Sequence, residues 1–89
     1  MTDYTAALTA AAGRSLQALP PRVAEALVAF IFEGLAANPR LRGKPLERDL
    51  EGLWSARRGD YRILYRLDDD TKTVHVIRIA HRADAYRRR

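Results

Sequence analysis

The sequence predicts an α+β domain. An N-terminal strand precedes a helical hairpin, the hairpin packs on a small antiparallel sheet, and a short C-terminal segment follows. Three observations carry this reading. Apolar residues recur at helical spacing up to about position 37. Prolines punctuate that stretch at Pro20, Pro21 and Pro39. Beyond Leu50 the period switches to strand-like alternation, broken by short polar turns.

Residues 4–8 are small or apolar and form a short first strand. Thr9 can cap the next helix, because its hydroxyl accepts from backbone N–H groups that the first turn leaves unpaired. Residues 10–19 are rich in alanine and helix-prone despite Gly13. Pro20 ends that helix, since the residue before a proline is pushed out of the helical region. Pro21 fits the first turn of a second helix, where its missing N–H costs nothing. The second helix is predicted over residues 21–37, with Val23, Leu27, Phe30, Ile31 and Leu35 on its core face. Val28 and Phe32 widen the apolar arc, to be covered by the first helix, the sheet or a partner helix. Asn38-Pro39 stops the helix. Residues 40–50 read as a basic connection, ordered only in part. Residues 53–56 form a short strand and Arg58-Gly59-Asp60 a turn. Tyr61, Ile63, Tyr65 and Leu67 then alternate with Arg62, Leu64 and Arg66. After Asp68-Asp69-Asp70, Val74, Val76 and Arg78 alternate with His75, Ile77 and Ile79. Three successive strands with short turns make an antiparallel meander.

The chain has 89 residues, 47% hydrophobic and 30% charged, which suits one domain over residues 1–89 with a modest core. Cysteine is absent, which excludes disulfide scaffolds and thiolate chemistry. No apolar run approaches the ~20 residues of a membrane span and no basic-then-apolar leader is present; with cysteine absent, the expected compartment is the cytoplasm. The net charge is +5. From Lys44 onward twelve basic residues face eight acidic ones, and all but two of the chain's basic residues are arginine. Arginine suits forked contact with phosphate, so a polyanion and a merely solubilising surface are the two readings of this charge.

No Walker loop, GxGxxG, GxSxG or His-Glu-x-x-His is present, so nucleotide binding, serine hydrolysis and common zinc chemistry lack their motifs. What remains is a set of cations around a few titratable groups: Lys44, Arg57, Arg58, Arg62, Arg82, His81 and Tyr86. RNA carries its own nucleophile, the 2′-hydroxyl. Cleavage by that hydroxyl needs a base, an acid for the 5′ oxygen, and cations for the charge gathering on phosphorus. It needs no metal or other cofactor. Histidine can serve as base or acid near neutrality, and a tyrosine beside arginines can carry a proton. Taken singly, each residue has a structural explanation. Arg57 and Arg58 flank a turn, Arg62 and Arg66 can pair with acids across the sheet, and His81 and Tyr86 can lie on its surface.

The combination resembles a known family. The stretch Leu50-Glu51-Gly52-Leu53-Trp54-Ser55-Ala56-Arg57-Arg58-Gly59-Asp60-Tyr61-Arg62-Ile63-Leu64-Tyr65 resembles the signature of the RelE/ParE toxin superfamily. The ending Ile79-Ala80-His81-Arg82-Ala83-Asp84-Ala85-Tyr86 is similar to the family's His-Arg-x-x-x-Tyr close, and Lys44-Pro45-Leu46 to its basic segment. The resemblance implies a RelE-like microbial RNase fold and a toxin of a type II toxin–antitoxin pair. Its RelE branch implies ribosome-dependent, metal-independent cleavage of mRNA in the A site. The implied partners are a RelB-like antitoxin, the ribosome with its mRNA, and operator DNA through the toxin–antitoxin complex. Carried onto this sequence, Arg62 is the phosphate-stabilising arginine, Arg82 a second cation and Tyr86 the C-terminal tyrosine. Well-studied members place lysines where this chain has Leu53 and Ser55. His81 then stands in as general base, with Lys44 and Arg57 as helpers and Arg58 beside them in binding RNA. Two other readings stay open: a ParE-type DNA gyrase inhibitor of the same fold, and a non-catalytic module that binds nucleic acid or antitoxin.

Overall fold

The computed structural model describes residues 4–81 and 83. Strand β1 (Thr5–Leu8) leads into helix α1 (Ala10–Gln17), and Pro20 separates it from α2 (Pro21–Ala29). The helical run continues past Ala29 as a π-turn over Phe30–Leu35. A short helix α3 (Pro39–Arg42) passes directly into strand β2 (Gly43–Pro45). After a 3₁₀ turn at Arg48–Leu50 come β3 (Trp54–Arg58), β4 (Tyr61–Asp68) and β5 (Thr73–His81). The five strands form one sheet in the order β1-β5-β4-β3-β2.

The α+β class and the hairpin-on-sheet arrangement follow the expectation, while the sheet and the basic connection depart from it. The sheet is mixed, because β1 runs parallel to β5. A strand that must cross under a helical hairpin before the meander begins returns in the same direction, and this placement lets Ala6 and Leu8 pack against the core. The basic connection at 40–50 is also ordered, holding α3, β2 and the 3₁₀ turn.

The core lies between the helices and one face of the sheet. Ala12 and Leu16 of α1, Leu27 of α2, and Ile31 and Leu35 of the π-turn meet Ala56, Ile63, Tyr65, Val74, Val76 and Ile79. Plain alternation along β5 would have put Arg78 beside Val74 and Val76. The β4–β5 register shifts between Leu64 and Tyr65: Leu64 opposes Arg78, whereas Tyr65 opposes Val76, so Ile77 is the extra residue of a bulge. The bulge reverses the parity, and Ile79 enters the core in place of Arg78. Thr9 serves both this irregularity and the start of α1. Its hydroxyl donates to the Ile77 carbonyl at 2.8 Å and accepts from the Ala12 N–H at 3.1 Å.

Candidate active site

The hairpin of β3 and β4 turns on Gly59-Asp60, where Gly59 takes a φ of 61° that an L side chain rarely adopts. The tight turn fixes the register: Arg58 opposes Tyr61, Arg57 opposes Arg62, and Ser55 opposes Leu64. On the other side of β3, Lys44 of β2 opposes Ser55. Strand pleating therefore places Lys44, Ser55, Arg57 and Arg62 on one face, turned away from the helices.

That face carries a cleft of about 380 Å³ lined by Leu41, Arg42, Gly43, Lys44, Ser55, Arg57 and Arg62. Among the described residues, four of the seven that line it are cationic and none is acidic. Arg57 and Arg62 stand directly opposite each other, a position in which Cβ atoms lie about 4.5–5.5 Å apart and like charges are destabilising. Arg62 is half-buried, with its Nε out of contact with solvent, while Arg57 and Lys44 are exposed. A concave site with this charge matches a multiply charged anion that accepts forked hydrogen bonds.

The lip of the cleft is held from beneath. Tyr65 is fully buried, and its hydroxyl donates to the Pro39 carbonyl at 2.6 Å. Burial pushes that hydroxyl up to about 12, against a smaller opposing pull from Arg40. Gly43 lies directly over the same hydroxyl, where a Cβ would collide with it. A second fastening lies outside. Arg40 donates from Nη2 to Asp69 at 2.8 Å and from Nη1 to the Tyr4 hydroxyl at 2.8 Å, and Tyr4 in turn donates to Asp69 at 2.6 Å. The Tyr4 and Arg40 hydrogen bonds hold the Asp69 carboxyl below the usual carboxylate range. The Arg40 guanidinium also lies 5.8 Å from the centre of the Trp54 ring. Together these contacts tie α3 and β2 to the sheet, and with them Arg42 and Lys44.

The structure thus brings Lys44, Arg57 and Arg62 together and adds Arg42 and Ser55, which the sequence reading missed. Arg42 ends a four-residue helix and Lys44 sits in a three-residue strand. Both elements are too short to display a period, and the lone signal was a basic run around Pro45. Arg58 points to the opposite face of β3. There it joins Arg22, Val23, Ala26, Leu27, Gly59, Asp60 and Tyr61 around a second cleft of about 420 Å³. His81 ends β5 opposite Tyr61, and its ring meets the Tyr61 ring edge-on with centroids 5.5 Å apart. It therefore stands on the Tyr61 side, whereas Ala80 is the residue across from Arg62. Its Nδ1 accepts from the Ala83 N–H at 3.2 Å, which leaves Nε2 as the nitrogen directed elsewhere. Arg82 and Tyr86 lie outside the described residues. Among the described residues no three His, Cys, Asp or Glu side chains gather as a metal site, and no helix is long and apolar enough to cross a membrane.

Comparison with known proteins gives the family. Residues 6–86 match the model of the family described as "ParE toxin of type II toxin-antitoxin system, parDE". The chain is 53% identical over 85 residues to the toxin RelG of Mycobacterium tuberculosis, covering 96% of this chain and 98% of that protein. It is 54% identical over 84 residues to the toxin RelE of the same organism, covering 94% of this chain and 87% of that protein. A crystal structure of the toxin–antitoxin complex RelBE2 from M. tuberculosis contains a chain that superposes with a TM-score of 0.89 at 51% identity, covering 94% of this chain and 97% of that one. With a cationic cleft on the face of the sheet turned away from the helices, and a match that runs nearly end to end, the chain belongs to the RelE/ParE superfamily of toxins from type II toxin–antitoxin systems.

Proposed function

We propose that the chain is a RelE-type mRNA interferase, a ribosome-dependent endoribonuclease that blocks translation by cutting mRNA in the A site. The observation that supports this most is the pairing of Arg57 with Arg62 in a cleft whose lining, among the described residues, includes Arg42 and Lys44 and no carboxylate. The gathered positive charge and the forked donors of arginine suit a phosphate. In the cleavage step the 2′-hydroxyl loses its proton and attacks the adjacent phosphorus. The P–O5′ bond breaks, leaving a 2′,3′-cyclic phosphate and a 5′-hydroxyl that has taken up a proton. Extra negative charge gathers on the phosphorus oxygens midway, and forked guanidinium donors stabilise it without a metal. Arg62 and Arg57 take that role, with Arg42 and Lys44 on the flanking phosphate. The proton transfers are assigned to His81 and Tyr86, with Arg82 as a further cation and Arg58 binding RNA from the far side of the hairpin.

The partner is a RelB-like antitoxin, by analogy with the RelBE2 complex of the M. tuberculosis relative. An acidic, amphipathic segment suits both the arginines of the cleft and the exposed apolar side chains Val28 and Phe32. The complex would also be the form that meets operator DNA, and the site of action is the cytoplasm. The matched family model carries the ParE name, which keeps inhibition of DNA gyrase as the second reading. Incubation with programmed 70S ribosomes and mapping of mRNA ends separates the two. New 5′-hydroxyl ends at the A-site codon are expected; intact mRNA together with loss of gyrase supercoiling would establish the ParE reading instead.

A further inference from the structure

Leu41 is 71% exposed, far more than Val28, Phe32 or Leu50, the other exposed large apolar side chains among the described residues. A single exposed leucine ordinarily needs no explanation. This one differs in its place and in its support. It lines the cationic cleft, and among the described residues it is the one large apolar side chain in a lining otherwise made of Arg42, Gly43, Lys44, Ser55, Arg57 and Arg62.

Its backbone is also fixed on both sides. The Leu41 N–H donates to the Asn38 carbonyl at 3.2 Å and to the Asn38 side-chain oxygen at 3.3 Å. The preceding Arg40 is fastened to Asp69 and Tyr4, and the carbonyl of Pro39 is held by buried Tyr65. Gly43, two residues on, is seated against the same tyrosine. A greasy side chain on a frayed loop would fold down onto the nearest apolar surface. Here the support holds Leu41 out at the mouth of a charged cleft, with most of its surface exposed.

We propose that Leu41 is a substrate-positioning residue, the platform on which one nucleobase of the bound RNA lies while the cations hold the phosphate beside it. The inference rests on the ribonuclease reading above. A nucleotide is the ligand that presents a forked anion and a flat, weakly hydrated face within one residue length, and the cleft offers the complement of both. Sequence tolerance follows, because a leucine methyl surface packs against any base without reading its edges.

The test uses wild type, Leu41→Ala and Leu41→Met on programmed 70S ribosomes. The mRNAs carry either a normal A-site codon or one with a single abasic position, moved in turn through the three nucleotides. For the normal codon, Leu41→Ala should lower kcat/KM about 5–10-fold, mostly through KM, as packed apolar area is lost. Leu41→Met, which conserves volume, should stay near wild type. At one abasic position wild type should fall to the level of Leu41→Ala, and the two should then be equal. A merely structural role would lower all mRNAs alike, and that outcome overturns the proposal. So does wild-type cleavage by Leu41→Ala, including the case in which that variant instead releases a co-purified antitoxin faster, since the occupant is then a protein. Wild type inert on every mRNA would refute the ribonuclease reading itself and the platform with it.

Discussion

Replacing Tyr65 with phenylalanine removes one oxygen from the centre of the molecule. That oxygen is fully buried and donates at 2.6 Å to the Pro39 carbonyl, the anchor of the cleft's lip. Leaving a buried acceptor unpaired costs about 1–3 kcal/mol. The ring itself stays, so no large cavity opens, and the loss should fall near the lower half of that range, about 1–2 kcal/mol at pH 7. For a domain of this size that lowers Tm by roughly 5–15 °C.

The same oxygen makes the difference depend on pH. In the unfolded chain the phenol ionises near 10, and in the fold burial pushes it up to about 12. The folded state therefore prefers the neutral phenol. Wild type keeps this stability in full below pH 10 and loses it as pH rises from 10 to 12, on the order of 2–3 kcal/mol. Phenylalanine has no such proton to lose, and every other titrating group is common to both proteins. The stability gap between wild type and Tyr65→Phe should thus be constant from pH 7 to 9, shrink above pH 10 and close or reverse by pH 12. Denaturant unfolding of both proteins at pH 7, 9, 10, 11 and 11.5 measures it. A gap that stayed constant to pH 11.5 would mean that Tyr65 is not a desolvated donor, and the support of the lip would need another account.

Four further outcomes follow. Arg62→Ala should abolish growth inhibition in a folded protein, with cleavage down about 10²–10³-fold, as for loss of one charge-assisted donor at a developing oxyanion; single-turnover assays and circular dichroism check both halves. Arg57→Ala should also lower cleavage while raising stability by a few tenths of a kcal/mol, because it removes a like charge directly across from Arg62; equal or lower stability would contradict the repulsion. Thr9→Ala should cost about 1–2 kcal/mol in chemical unfolding, since one substitution removes a helix cap and the donor to the Ile77 carbonyl. His81→Ala and Tyr86→Phe should each slow cleavage about 10²–10⁴-fold if their groups transfer protons, and unchanged rates in both would remove them from the chemistry.

Helices α1 and α2 and strands β3, β4 and β5 were legible because periodic segments announce themselves. The tight turn at Gly59-Asp60 fixed which residues oppose one another, so the Arg57–Arg62 pair was within reach of the sequence. The lip was not. Arg42 and Lys44 lie on elements of four and three residues, and their placement depends on Tyr65 reaching Pro39 and on Arg40 reaching Asp69, partners 26 and 29 residues away. The parallel pairing of β1 with β5 joins residues 68 positions apart, such as Thr5 with Thr73, and leaves no local trace. The π-turn was hidden for a different reason: the core positions Ile31 and Leu35 satisfy an α-helical spacing equally well.

The bulge at Ile77 has the largest consequence for the site. Continued without it, the register that pairs Tyr65 with Val76 would set Arg62 opposite Ile79, and His81 would share a face with the cleft. The extra residue moves Ile79 into the core, where it is 4% exposed, and sets Arg62 opposite Ala80. Burying an isoleucine is worth roughly 1.5–3 kcal/mol, whereas leaving Arg78 on the core face would cost far more than a ladder irregularity. Core packing therefore decides which face His81 occupies, and it sends the ring to Tyr61. A phosphate seated between Arg57 and Arg62 then lies across the end of the β4–β5 pair from the imidazole. For both to act on one phosphate, the RNA must cross that end of the sheet, where Ala80 opposes Arg62 with only a methyl group. Ala80→Leu would fill the crossing while keeping every charge. It should lower cleavage at least tenfold if His81 and Arg62 share a phosphate, and leave it unchanged if the cations of the cleft act without His81.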